Sequence, residues 1–131
     1  MTHKYTVVHP SSRINLVMGA NGSGKSSLVC ALCLGLGGSP GDMRRSSDIK
    51  DFILNGATEA SIEITLQGPG KNYVVTRQIK MSGSGRNASS IFKFDKNDGS
   101  GVQVVAESEY HELMLTLNIQ MDNPTQFLPQ E

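Results

Sequence analysis

The stretch Ile14-Asn15-Leu16-Val17-Met18-Gly19-Ala20-Asn21-Gly22-Ser23-Gly24-Lys25-Ser26-Ser27 decides how the chain is read. Residues 14–18 are a compact apolar run that stops at Gly19, and this length and glycine boundary predict a buried strand. Residues 19–26 then satisfy G-x-x-x-x-G-K-[ST] at every fixed position. Composition alone would give such a match in roughly one of a few hundred chains of this length. Each residue type has a chemical reason. The glycines let the backbone curl so that successive N–H groups face one concavity and meet phosphate oxygens. Lys25 brings a mobile ammonium to the β and γ phosphates. The Ser26 hydroxyl can ligate Mg²⁺, and a helix starting there directs the positive end of its dipole at the anion. Leu28-Val29-Cys30-Ala31-Leu32-Cys33-Leu34 is apolar on every side and predicts a helix buried all round, ended by Gly35, Gly37, Gly38 and Pro40. A strand before and a helix after are the context this loop requires. The expectation is a Mg²⁺-nucleotide site contacted by Gly19, Asn21, Gly22, Ser23, Gly24, Lys25, Ser26 and Ser27.

Composition narrows the remaining classes. The chain has 131 residues, enough for one domain or part of a larger one. Its 12 Lys+Arg balance 12 Asp+Glu, which argues against binding nucleic acid by net charge alone and leaves room for a local basic patch. Hydrophobic residues make up 37%, and the 14 glycines bring the total near the ordinary globular range, so a modest core is expected. The longest apolar stretch, residues 28–36, is far short of the ~20 residues that span a bilayer. Met1-Thr2-His3-Lys4-Tyr5 has no apolar signal-peptide core behind it. Two cysteines cannot staple a disulfide scaffold. A soluble intracellular domain with no membrane partner is expected.

Outward from the loop, residues 5–9 suggest a short strand and Pro10-Ser11-Ser12 a turn. Ile62-Glu63-Ile64-Thr65-Leu66 alternates strictly, Gln67-Gly68-Pro69-Gly70 is turn chemistry, and residues 73–79 are rich in β-branched and aromatic side chains. These predict a hairpin. Residues 91–94 and 102–105 flank Asn97-Asp98-Gly99 and predict a second one. Ser82-Gly83-Ser84-Gly85-Arg86-Asn87 reads as a flexible loop. Tyr110, Leu113, Met114 and Leu117 fall at i, i+3, i+4 and i+7 of one helical face, and the two prolines of residues 123–130 exclude regular helix there.

A complete phosphoryl-transfer site also needs a carboxylate at the end of another strand to hold Mg²⁺, and a residue that orients the attacking water. No apolar run of four or more residues ends in Asp-Glu, and Val105-Ala106-Glu107 is a weak imitation. No Ser-Gly-Gly signature is present. Cys30-Ala31-Leu32-Cys33 matches C-x-x-C, but it lies inside an apolar helix, so buried packing is expected rather than zinc or redox chemistry. His3, His9 and His111 are unclustered. A stand-alone P-loop nucleotide-binding or kinase-like enzyme is one reading of these residues, disfavoured by the missing carboxylate strand.

The loop and its strand resemble the Walker A region of the structural-maintenance-of-chromosomes (SMC) ATPases. Residues 28–38 and Leu117-Asn118-Ile119-Gln120-Met121-Asp122-Asn123-Pro124-Thr125-Gln126-Phe127-Leu128-Pro129-Gln130 are most similar to the fifth-subunit branch of that family, partner of the sixth subunit in a DNA-repair complex. The family usually has Pro where this chain has Ala20. The resemblance implies an α/β P-loop NTPase fold: the N-terminal lobe of an ABC-type head, a mixed sheet with an antiparallel β-subdomain around the Walker A helix. Residues 1–131 would be the first half of the head. The coiled coil, hinge and C-terminal half, which carries the signature, Walker B aspartate and catalytic glutamate, would lie elsewhere, and so would the family's first strand, upstream of Met1.

The same resemblance carries site residues. ATP and Mg²⁺ would be the cofactors, with Gln130 as the Q-loop glutamine on Mg²⁺ and Gln126 as a less favoured alternative. Arg45, in preference to Arg44, would be the arginine-loop residue near nucleotide and DNA. The implied partners are the C-terminal half of the same head, the sixth SMC subunit, the non-SMC subunits of the repair complex, and DNA through the assembled head. The implied location is the chromosome, in the nucleus. ATP hydrolysis is expected only with the C-terminal half and a partner head.

Overall fold

Alternating apolar residues between positions 59 and 105 build a four-stranded antiparallel meander. A computed structural model describes residues 4–43, 48–68, 70–123 and 126–127. The strands are β1 (Glu59–Gly68), β2 (Lys71–Met81), β3 (Ala88–Asp95) and β4 (Val102–Val105), adjacent in that order. Both predicted hairpins form, β1 with β2 and β3 with β4. The Ser82–Asn87 segment is more ordered than its composition suggests. It is the β2–β3 turn, closed by Ser82 N to Asn87 O at 2.7 Å and Gly85 N to Ser82 O at 2.9 Å.

Residues opposite one another in an antiparallel pair share a face. The register therefore puts Ile62, Arg77 and Phe92 in one row, and Ile64, Val75 and Phe94 in the next. This inner face carries the helices. Helix α1 (Lys25–Gly35) packs on β1 and β2, and α2 (Glu107–Thr116) packs on β3. Gly35 makes the first packing possible. A Cβ there would lie 2.6 Å from Ile64 Cδ1 and 2.7 Å from Ile62 Cγ2. Helix α2 starts where its acidic residues favour it. Glu107 and Glu109 occupy the first turn, and Glu109 accepts a bond from Ala106 N at 3.4 Å. Tyr110 and Met114, one turn apart, are its buried residues.

The core has two clusters. One joins α1 to the 3₁₀ turns Pro40–Met43 and Ile49–Phe52, through Cys30, Cys33, Leu34, Met43, Phe52, Ile53 and Ile79. The other joins the sheet to α2, through Val75, Phe92, Phe94, Tyr110 and Met114. Aromatic contacts bind the second, with ring centroids 5.6 Å apart for Tyr73–Phe94 and 4.7 Å for Phe92–Tyr110. Arg77 is buried in the row between the clusters.

The α/β class and the antiparallel subdomain around α1 stand as expected. Residues 14–18 differ from expectation: they form no strand, and Ile14, Leu16 and Met18 are 93, 80 and 80% exposed. A strand needs a neighbour to take its N–H and C=O groups, and among the described residues no strand lies beside this segment. Residues 5–9 are likewise exposed and outside any strand. Nor is α1 buried all round, since Val29 and Leu32 on its surface are exposed. Among the described residues, no helix is long and apolar enough to cross a membrane.

Candidate functional site

The glycine loop takes its shape from two left-handed residues. Gly22 has φ 82° and Gly24 φ 94°, a region that costs an L-residue about 1–2 kcal/mol and glycine almost nothing. Gly19 answers to space instead, because a Cβ there would approach Ser23 Oγ to 2.6 Å. Ser23 N closes the turn on Ala20 O at 3.2 Å, and Gly24 O accepts from Leu28 N at 3.1 Å, the first turn of α1. Gly24 is the N-cap and offers no side chain, and the first turn holds no acidic residue. The helix N–H groups are thus left to an anion.

Lys25 folds back across this concavity. Its Nζ donates to Gly19 O at 2.5 Å and to Ala20 O at 2.8 Å, so the ammonium bridges the start of the loop. Ser26 and Ser27 are half-buried in the first helical turn, while Asn21, Gly22 and Ser23 are exposed at the rim. The start of α1 without a side-chain cap, the Lys25 ammonium folded over the loop and the Ser26 hydroxyl of the first helical turn are the donor types that suit a polyphosphate with its Mg²⁺.

The other end of α1 is tied down by three side chains from outside the helix. Arg77 Nη1 donates to Leu34 O at 3.0 Å and Gly38 O at 2.7 Å, and its Nε to Ser90 Oγ at 3.0 Å. The Tyr110 hydroxyl donates to Gly35 O, and His111 Nε2 donates to Gly37 O at 2.7 Å. Burial lowers the pKa of the Arg77 guanidinium and pushes the Tyr110 phenol up to about 12. Arg77 escapes a reading by motif, yet it leaves a signal. Tyr73, Val75 and Ile79 alternate as the inward set of β2, and Arg77 stands in their parity.

Other candidates fall differently. Arg44, Arg45 and Gln130 lie outside the described residues, as does His3. Gln126 is taken up by local structure, its Nε2 donating to Asn118 O at 3.0 Å and its Oε1 accepting from Gln120 N at 2.7 Å. In the segment after Arg45, Asp48 caps a 3₁₀ turn through Lys50 N at 3.1 Å, and Phe52 and Ile53 are buried. Cys30 and Cys33 are buried free thiols, as their place in the helix predicts, and burial pushes the Cys33 thiol up to about 11. Val105 ends β4 and Glu107 opens α2, so this carboxylate belongs to a helix start rather than a strand end. Among the described residues no three His, Cys, Asp or Glu side chains gather as a metal site.

A glycine loop feeding a helix that packs on an antiparallel subdomain defines the class: the N-terminal lobe of a P-loop NTPase. The AAA domain family matches residues 1–131, and the chain belongs to it, as an N-terminal head portion of the SMC type. It is 37% identical to structural maintenance of chromosomes protein 5 of Caenorhabditis elegans over 131 residues, covering 100% of this chain and 11% of that protein. Against protein 5 of Arabidopsis thaliana the identity is 39% over 133 residues, 100% of this chain and 12% of the relative. Human structural maintenance of chromosomes protein 6 is 35% identical over 130 residues, 92% of this chain and 11% of that protein. The chain thus spans about a ninth of the length of these relatives.

Proposed function

We propose that this chain is the ATP-binding N-terminal segment of a RecF/RecN/SMC-type ATPase head that maintains chromosomes. ATP with Mg²⁺ is the ligand. Gly19, Asn21, Gly22, Ser23, Gly24, Lys25, Ser26 and Ser27 hold it, with Ser26 and Gln130 on the metal. The C-terminal half of the same head supplies the signature, Walker B aspartate and catalytic glutamate, and docks on the exposed apolar residues 14–18. ATP then clamps this head to that of the sixth SMC subunit, and hydrolysis releases it. The assembly, with its non-SMC subunits, acts on chromosomal DNA in the nucleus, in recombinational double-strand break repair and sister chromatid organisation, with Arg45 facing the DNA. One observation supports the reading: a glycine loop over which the Lys25 ammonium folds back, joined to an exposed apolar segment with no strand beside it among the described residues. A self-sufficient P-loop kinase would need its own Mg²⁺ carboxylate.

Two measurements test this. The chain alone is expected to bind ATP weakly and to hydrolyse it negligibly. Co-expression with a C-terminal head half and partner head should restore turnover, and Lys25→Ala should abolish it. Rapid Lys25-dependent hydrolysis by the 131-residue chain alone would contradict the proposal.

A further inference from the structure

We propose that Arg77 is a positioning residue for the glycine loop, anchoring the far end of α1 so that the helix holds the amide cradle in place. The proposal rests on the nucleotide-binding reading above. The buried residues of α1 are Cys30, at its midpoint, and Cys33, Leu34 and Gly35, in its last turn. Val29 is exposed, and so are residues 19–23. Residues 24–28 are half-buried, so the loop is carried at the less closely packed end of a rod gripped at its other end. An 11-residue helix is about 16 Å long at 1.5 Å per residue and is stiff over that distance.

Three features single out Arg77 among the groups that grip this end. It is the grip that comes from the sheet, since Tyr110 and His111 reach over from α2. Its Nη1 alone donates to the Leu34 and Gly38 carbonyls at once, joining the helix end to the turn that follows. Ser90 holds its Nε, and the guanidinium lies over the Phe92 ring at 4.9 Å, so its orientation is fixed from the sheet side. Electrostatics points the same way. Among the described residues no carboxylate lies within ion-pair distance of Arg77; Glu107 acts on it only at longer range, and the carbonyls at the end of α1 are its direct acceptors. A cation at that terminus and an anion at the opposite one complement the same dipole.

The test is titration of the 131-residue chain with a fluorescent ATP analogue and Mg²⁺, at a temperature where circular dichroism reports every variant folded. Arg77→Met is expected to weaken binding roughly two- to fivefold, the range of a helix-terminus interaction converted to affinity. Arg77→Lys, which keeps a charge and donors for both carbonyls, should recover most of the loss. Met114→Ala removes a buried group of the second cluster and serves as the stability control, expected to leave affinity unchanged. Wild-type affinity in Arg77→Met overturns the proposal. So does equal weakening in Met114→Ala at a comparable urea midpoint, or no recovery in Arg77→Lys. If Arg77→Met does not fold, Arg77→Gln decides by the same comparison. Binding that is lost in Lys25→Ala but unmoved by Arg77 variants leaves the nucleotide reading intact and removes only this one. An unaltered chain that ignores the analogue removes both.

Discussion

Cys33 and Tyr110 keep their protons to unusually high pH because each is buried where a negative charge would go unsolvated. The Cys33 thiol moves from 9.0 to about 11, and the Tyr110 phenol from 10.0 to about 12. Both groups are neutral in the folded and unfolded chain below pH 9, and there their contribution to stability is complete. Above it the unfolded chain gives up these protons first, so stability falls as pH rises toward the folded values. Each group contributes about 2–3 kcal/mol to that loss. Urea midpoints measured from pH 8 to pH 11 should therefore decline steeply, and Cys33→Ala should flatten the first part of the decline. An unchanged slope in that variant would mean that the thiol ionises as freely in the folded chain as in the unfolded one.

At the scale of elements, what was legible in the sequence was what depends on near neighbours. The loop of residues 19–26 and the start of α1 are set by local glycines and by Lys25. Hairpins β1–β2 and β3–β4 follow from alternation and turn residues within 30 positions or fewer, as does the buried face of α2. The strand expected at residues 14–18 failed because a strand is a property of a pair, and an apolar run shows only half of one. Arg77 was missed for a related reason: its carbonyl partners are 39 and 43 positions away. Arg45 and Gln130 rest on resemblance alone. Helix α2 also shows an unfinished local signal. Ala106 has the extended backbone of an N-cap, φ −68° and ψ 155°, and Glu109 already reaches back to its N–H, but alanine has no oxygen to return the bond. Ala106→Ser should complete the pair and stabilise the chain by about 1 kcal/mol, read as a raised urea midpoint. No gain would show that the helix start is held by packing of Tyr110 instead.

For the whole molecule, the distribution of apolar surface separates what holds this chain together from what it offers to a partner. The two clusters lie between the sheet and its helices, while Ile14, Leu16 and Met18 contribute little to either. A soluble chain seldom displays such a run unless something covers it. If the C-terminal head half is that cover, a charge placed there should affect assembly and leave folding alone. Leu16→Asp is the direct trial. Leu16 is 80% exposed, so the substitution should change the urea stability of the chain by no more than about 0.5 kcal/mol. The same variant, co-expressed with the C-terminal half, should pull down less of it and lose ATP turnover in proportion. The carboxylate would be carried into a sheet interior with no cation to meet it, and that desolvation costs several kcal/mol. A variant that unfolds the chain by itself would place Leu16 in the chain's own core. One that assembles and turns over normally would show that residues 14–18 stay in water and that the second half docks elsewhere.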